Sequence, residues 1–258
     1  HLVNDYSLQI QDLCELHDIS WFNRVDEAQM PSSNFNLAVS WRWMIKGASN
    51  LIVFHDSLLP KYRGFCPLVA QLIDGQEVIG VTAIWANDDY DSGDIITQSK
   101  IRIKYPIKIS QAIEQVSVCY QECTETIFTA LFNSEDLPAK PQDSSSATYS
   151  LWRDECDYLI NWSWPANRVS RFIDAVGLPY KGAMSFVSNH KVILTEVEEV
   201  PDFFIHNRDV GKVVNILDGY PIVVCGSGLL KILSGKYVNT RLSLLPLKSL
   251  RLRFSSMG

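Results

Sequence analysis

The chain has 258 residues, 47% of them hydrophobic and 20% charged, and its formal net charge is −6. That length supports one large domain or two smaller ones with a sizeable core. The acidic balance argues against a nucleic-acid-binding protein, which wants a basic face. No apolar run approaches the roughly 20 residues that span a bilayer, and the start carries no secretory signal pattern. Cys14, Cys66, Cys119, Cys123, Cys156 and Cys225 have neither metal-ligand spacing nor a small-domain disulfide pattern, so no metal is expected. They read as reduced core thiols of a cytoplasmic protein. Cys119 and Cys123 also admit a reactive-pair reading, since i and i+4 share a helix face.

Gln9 to His17 reads as a short amphipathic helix with Ile10, Leu13, Cys14 and His17 on one face. Ile19 to Phe22 suits a brief strand, Pro31 to Asn34 a turn, and Phe35 to Ser40 a strand that runs into Trp41-Arg42-Trp43-Met44-Ile45, an aromatic corner. The apolar run Leu51 to Phe54 ends in His55-Asp56-Ser57-Leu58-Leu59-Pro60-Lys61-Tyr62-Arg63-Gly64. A helix-like segment from Pro67 to Ile73 closes at Asp74-Gly75, and a β-branched run follows from Val78 to Trp85. It ends in the acidic loop Asn87-Asp88-Asp89-Tyr90-Asp91-Ser92-Gly93-Asp94. Two strands thus each deliver an ionisable residue, His55 and Asp91, at the carboxyl-end edge where open α/β sheets bind ligands. They are a candidate general base and its electrostatic partner. Lys61 and Arg63 read either as solvated loop charges or as anion-recognising groups.

Asp94 to Ile103 continues as a strand, and Ser110 is placed to cap a long helix from Gln111 to Phe132 whose apolar stripe is core. Asn133 to Ala147 is rich in Pro, Asp and Ser and marks a linker, giving expected domains 1–147 and 148–258. Tyr149, Trp152 and Arg153 open the second part; they suit stacking on a nucleobase and bidentate contact with a diphosphate, or else a linker anchored in the core by Trp152. Tyr158 to Trp162 reads as a short strand, and Ser163 as the cap of a helix with Pro165 in its first turn and Gly177 past its end. Strands at 184–187, 192–200, 212–216, 222–225 and 229–233, joined by Ser188-Asn189, Asp218-Gly219 and Gly226-Ser227-Gly228, make a small antiparallel β domain.

His55-x-Ser-Leu-Leu-Pro-Lys-Tyr-Arg-Gly, Gly80-Val81-Thr82 and Asp91-Ser92-Gly93-Asp94-Ile95, in that order and spacing, resemble the 10-formyltetrahydrofolate-dependent formyltransferases, whose members include methionyl-tRNA formyltransferases and nucleotide-sugar N-formyltransferases. Asn161-Trp162, Pro179-Tyr180-x-Gly182-Ala183, Gly211-x-Val213 and Cys225-Gly226-x-Gly228 are similar to that family's carboxyl-terminal region. The resemblance implies a doubly wound, Rossmann-like catalytic domain, here without its first βαβ unit, followed by the small β domain. It implies 10-formyltetrahydrofolate as co-substrate, with Trp43, Met44, Ile45 and the loop Asn87, Asp88, Asp89 and Tyr90 holding the pterin. By the same resemblance His55 takes a proton from the attacking amine and Asp91 orients and polarises it. Lys61, Arg63, Tyr149, Trp152 and Arg153 then face the acceptor.

The family carries an Asn two residues before the His as an oxyanion donor, and here that position is Val53. Asn50 lies about 16 Å back along an extended strand and on the opposite face. Another donor such as Asn87, the protonated His55, or a slow homologue are the alternatives. The Tyr149-Ser150-Leu151-Trp152-Arg153 segment resembles the sugar branch, which implies a dTDP-linked amino-dideoxyhexose acceptor and a homodimer. Methionyl-tRNA formylation and a weakly active folate or sugar-nucleotide binding homologue are the competing readings.

Overall fold

The computed structural model describes residues 6–23, 30–41, 45 and 50–257. Its first sheet has four strands: β1 (Asn36–Ala38), β2 (Leu51–His55), β4 (Val78–Trp85) and β5 (Ile95–Arg102), in the order β1-β2-β4-β5. A two-residue strand β3 (Arg63–Gly64) pairs outside it with β6 (Tyr149–Ser150). The mixed α/β character matches the sequence reading. The edge argument for His55 and Asp91 does not hold: among the described residues of this sheet only β1 and β2 pair in parallel, whereas β4 is antiparallel to β2, pairing His55 with Thr82 and Ile52 with Trp85. The carboxyl ends of β2 and β4 therefore lie at opposite ends of the pair. The helix between them, α2 (Pro67–Asp74), packs on α4 (Ala166–Ala175) of the second half instead of covering the sheet as a crossover.

Helix α3 (Ile109–Phe132) covers β4 and β5 and buries Ala112, Val116, Cys119, Cys123 and Ile127 at helical spacing. Its cap is Lys108, not Ser110. The Gln111 side chain accepts from the Lys108 N–H at 3.0 Å, and Ser110 sits inside the first turn. Ile19–Phe22 forms no strand, and the helix α1 (Ser7–Leu16) has no buried residue, with Ile10 and Leu13 exposed. All six cysteines are free, but the core-thiol reading holds for three: Cys119, Cys123 and Cys225 are buried, Cys14 and Cys66 half-buried, and Cys156 exposed. Burial pushes the Cys123 thiol up to about 11, which disfavours the thiolate a reactive pair needs.

The second sheet has six strands, β7 (Ala183–Val187), β8 (His190–Val200), β9 (Val213–Leu217), β10 (Tyr220–Val224), β11 (Leu229–Tyr237) and β12 (Phe254–Ser255), ordered β12-β7-β8-β11-β10-β9 and antiparallel throughout. Positive φ at Ser188 and Asn189, and at Asp218 and Gly219, gives the tight hairpin turns expected. Residues 158–162 are not a strand: a 3-10 turn, Cys156–Tyr158, leads into an isolated bridge between Leu159 and Met184. Ser163 does not cap α4; Pro165 holds that place, and the Ser163 N–H bonds the Asn161 side chain at 3.0 Å. No helix among the described residues is long and apolar enough to cross a membrane.

One core runs unbroken from the first sheet through α3 and α4 into the second sheet. Lys108 pins its flank: Nζ donates to Asp174 Oδ1 at 2.6 Å and to the Thr195 carbonyl at 2.8 Å, and pairs with Glu196 at 3.0 Å. Asp174 is buried, which raises its carboxyl, and Lys108 partly offsets this. Lys108→Met should cost about 1.5–3 kcal/mol at neutral pH, because a buried carboxylate loses its charged donor. An acid raised above its unfolded value is favoured on the acid side, so the melting-temperature deficit of the variant should shrink as pH falls through the folded-state value of Asp174. Melts of both proteins at pH 7 and pH 5 check this; an equal deficit at both would refute it.

Candidate active site

His55 ends β2 and is buried. Its Nε2 lies 2.7 Å from the Tyr62 carbonyl and its Nδ1 3.5 Å from Asp91 Oδ1. Nε2 therefore carries a proton, since a carbonyl only accepts. A neutral ring has one N–H; the imidazolium gives both acceptors a proton. Behind the ring, Asp56 accepts a short hydrogen bond from the Tyr120 hydroxyl, whose ring stacks on Phe54 at 5.7 Å. Burial raises the Asp56 carboxyl against the opposing pull of Tyr120 and His55.

The loop after His55 is held by residues that account for two of the sequence motifs. Thr82 Oγ1 donates to the Ser57 carbonyl at 2.6 Å and accepts from Leu59 N at 3.0 Å. Gln98 Nε2 bridges Thr82 Oγ1 and the Leu59 carbonyl at 2.8 and 3.0 Å. Ser57 Oγ donates to the Lys61 carbonyl at 2.6 Å. Gly80 has to be small: a Cβ there would meet the Ser99 carbonyl at 2.3 Å and Leu58 at 2.8 Å. This scaffold turns the chain so that the Tyr62 carbonyl comes back over His55.

Asp91 arrives by a different route. The loop after β4 folds back over the sheet, closed at its base by Trp85 N to Asp94 O at 3.0 Å. Gly93 lies against β4 so tightly that a Cβ would fall 1.7 Å from the Trp85 carbonyl. Asp91 takes φ +53°, and its Oδ2 accepts from Gly64 N at 2.8 Å. Gly64 itself has φ +97°, a left-handed conformation suited to glycine.

Gln142, within the Pro-, Asp- and Ser-rich stretch expected to be a linker, locks this arrangement. Its Nε2 donates to the carbonyls of Asp91 and Gly93 at 2.9 and 2.7 Å. Its Oε1 accepts from Arg63 Nε and Nη2 at 3.1 and 2.8 Å. Arg63, expected to face the acceptor, is thus buried and turned onto Gln142. Only the proline-rich composition around Gln142 was legible, and composition carries no information on a contact formed across 51 residues.

The other predicted residues divide as follows. Trp43 and Met44 lie outside the described residues, while Ile45 is half-buried. Asn87 is exposed and its amide is bonded to Ser92 Oγ at 2.8 Å, so it pins its own loop. Asp88, Asp89 and Tyr90 are exposed, and the Tyr90 ring lies 6.2 Å from Phe65. Lys61 is exposed. Val53 pairs with Ala38 and Ile84 and, by strand alternation, lies on the His55 face, so an aliphatic group occupies the oxyanion-donor position. Tyr149, Trp152 and Arg153 line a cleft of about 430 Å³ together with Cys66, Trp164 and Arg168. Trp152 is 62% exposed, which rules out its reading as a core anchor. His55 and Asp91 do not line the cleft. It reaches their shell through Ser150, whose Oγ contacts the carbonyls of Tyr62 and Arg63 at 3.4 Å. Among the described residues no group of three or more His, Cys, Asp or Glu side chains could hold a metal ion.

Residues 42–119 match the model of the family described as "Formyl transferase", and residues 154–239 match "Formyl transferase, C-terminal domain". A methionyl-tRNA formyltransferase of Syntrophomonas wolfei is 33% identical over 138 residues, 54% of this chain and 44% of that protein, so the chain spans less than half the length of that curated relative. An N-formyltransferase of Helicobacter canadensis, solved on complex with folinic acid and dTDP-3-aminofucose, shares the fold with TM-score 0.65 at 15% identity over 86% of this chain and 81% of that one. HypX of Aquifex aeolicus, solved with tetrahydrofolic acid, does so with TM-score 0.56 at 18% identity over 76% of this chain and 34% of that one. The matched models carry both halves of the molecule and together take in more than half of its residues: the chain belongs to the formyl transferase family.

Proposed function

We propose that this protein moves a formyl group from 10-formyltetrahydrofolate to the amine of a nucleotide-linked amino sugar, with dTDP-4-amino-4,6-dideoxyglucose or its 3-amino isomer as the expected acceptors. The observation that carries the reading is the contact between buried His55 and Asp91, linked through the Tyr62 carbonyl and Ser150 to a cleft lined by Tyr149, Trp152 and Arg153. The Helicobacter neighbour's dTDP-sugar supports the choice of acceptor. So does the net charge of −6, which suits a small anionic ligand poorly in bulk but a polyanionic tRNA worse.

The folate supplies an activated one-carbon acyl group. Ile45, Asn87, Asp88, Asp89 and Tyr90 would hold the pterin, and the exposed Tyr90 and Phe65 rings, 6.2 Å apart, offer it an apolar rest. His55 Nδ1 takes the proton of the attacking amine, and its 3.5 Å separation from Asp91 is long enough to leave it free to accept. Asp91 then stabilises the imidazolium. With Val53 at the donor position and Asn87 turned onto Ser92, the imidazolium would be the charge offered to the developing oxyanion, and it would return its proton to the folate nitrogen as the bond from that nitrogen to the formyl carbon breaks. Arg63 acts by holding Gln142, while Lys61 is free at the surface to meet the acceptor's phosphates. A cytoplasmic homodimer goes with this reading.

Methionyl-tRNA formylation is the second reading, favoured by the Syntrophomonas relative. Mass spectrometry after incubation with the formyl donor and a panel of nucleotide amino sugars separates the two. A dTDP-sugar heavier by one formyl group is expected. Formylated methionyl-tRNA with every sugar unchanged would establish the second reading instead.

A further inference from the structure

Arg168 lies in the first turn of α4 and lines the same cleft as Arg153. Its guanidinium carbon sits 4.8 Å from the centre of the Trp164 ring. One nitrogen, Nη2, reaches Asp74 Oδ1 at 3.4 Å, a long contact to a carboxylate that also accepts from the Tyr62 hydroxyl at 3.2 Å. Nε is buried and has no hydrogen-bond partner. A guanidinium carries five N–H donors, and a buried donor without an acceptor is costly enough that native proteins avoid it. Arg153, across the cleft, bonds only the Asp157 backbone carbonyl, through Nη1 at 3.1 Å. Two guanidinium groups therefore face one cavity with most of their donors unmatched, and the carboxylates that share it, Asp74 and Asp157, do not saturate them.

We infer that Arg168 is a specificity-determining contact of the second substrate: together with Arg153 it holds the diphosphate of the nucleotide, leaving the face of Trp164 to do so. The assignment rests on the acceptor class proposed above. The chemistry points to phosphate because guanidinium donors match pairs of phosphate oxygens in a way a single carbonyl or hydroxyl does not. Tyr149 and Trp152, 69% and 62% exposed at the rim, leave aromatic faces for the base that such a diphosphate carries. The stack on Trp164 and the long ion pair hold Arg168 in the free protein without satisfying it, so an incoming anion gains donors that nothing else strongly claims.

Titration calorimetry with dTDP on the full chain tests this, with inorganic pyrophosphate as a competitor. Arg168→Met keeps the side-chain stem on Trp164 and removes the charge; it should weaken dTDP binding by about tenfold or more. Arg168→Lys keeps the charge without the fork and should lose less. Tetrahydrofolate binding should stay at the wild-type value in both variants, which shows that they are folded. Pyrophosphate should displace dTDP from the wild type. Wild-type dTDP affinity in Arg168→Met would overturn the role of Arg168 and leave the acceptor reading standing. Failure of the wild-type protein to bind dTDP would overturn the acceptor reading itself, and this assignment with it.

Discussion

His55→Asn should slow single-turnover formyl transfer by about 10²–10⁴-fold, the range that a positioned general base supplies. Asparagine keeps a polar group near the Tyr62 carbonyl, so folding and folate binding should be little changed. Asp91→Asn should fall in the same direction by a similar factor. Its amide oxygen can still accept from Gly64 N, which lies 2.8 Å from the carboxylate, so the loop stays in place while the charge that stabilises the imidazolium is gone. The pair should not be additive, because the two side chains act as one unit. Rapid-quench measurement of the formyl product, at saturating acceptor, reads the chemical step. A wild-type rate in His55→Asn would remove the proposed mechanism outright, whatever the acceptor proves to be.

Gln142→Met should have the largest effect on stability of any residue in the linker. The substitution strips two donors from the carbonyls of Asp91 and Gly93 and one acceptor from Arg63, whose side chain is buried. Hydrogen bonds to charged groups contribute about 1.5–3 kcal/mol, and a buried guanidinium left without its acceptor lies at the upper end. At roughly 2–4 °C per kcal/mol for a chain of this size, the melting temperature should drop by about 6–12 °C. The rate should fall as well, because Asp91 loses the contact that fixes its backbone at φ +53°. Gln142→Glu separates the two effects: a carboxylate keeps and strengthens the acceptor for Arg63 but removes the donor to Asp91 and Gly93. It should recover part of the stability and little of the rate. If Gln142→Met melts within about 2 °C of wild type, below the roughly 3 °C that even a loss of about 1.5 kcal/mol would give, Gln142 is not the lock described.

The readable parts of the molecule share a property. The residues from His55 to Gly64, Gly80 to Thr82, and Asp91 to Asp94 act within short segments whose order and spacing survive in one dimension, so a motif match locates them. Each also has a local physical demand. Gly80 and Gly93 lie where a Cβ would strike backbone carbonyls, and Asp91 and Gly64 take positive φ. The hairpins of the second sheet were legible for the same reason, since Ser188-Asn189 and Asp218-Gly219 are turn residues by their own conformational preference.

Sequence alone therefore determined the two-part α/β and β composition, the family resemblance, and the identity of His55 and Asp91 as a pair. Tertiary structure alone decided how that pair forms. β4 runs antiparallel to β2, and α2 between them packs on α4, almost a hundred residues downstream, a pairing that no local pattern reveals. Arg63 turns inward because Gln142 meets it there, and Arg168 enters the cleft because α4 lies across α2. Backbone preference is a property of neighbours along the chain, whereas the partner of a buried polar group is chosen by whichever distant segment the packed core brings beside it.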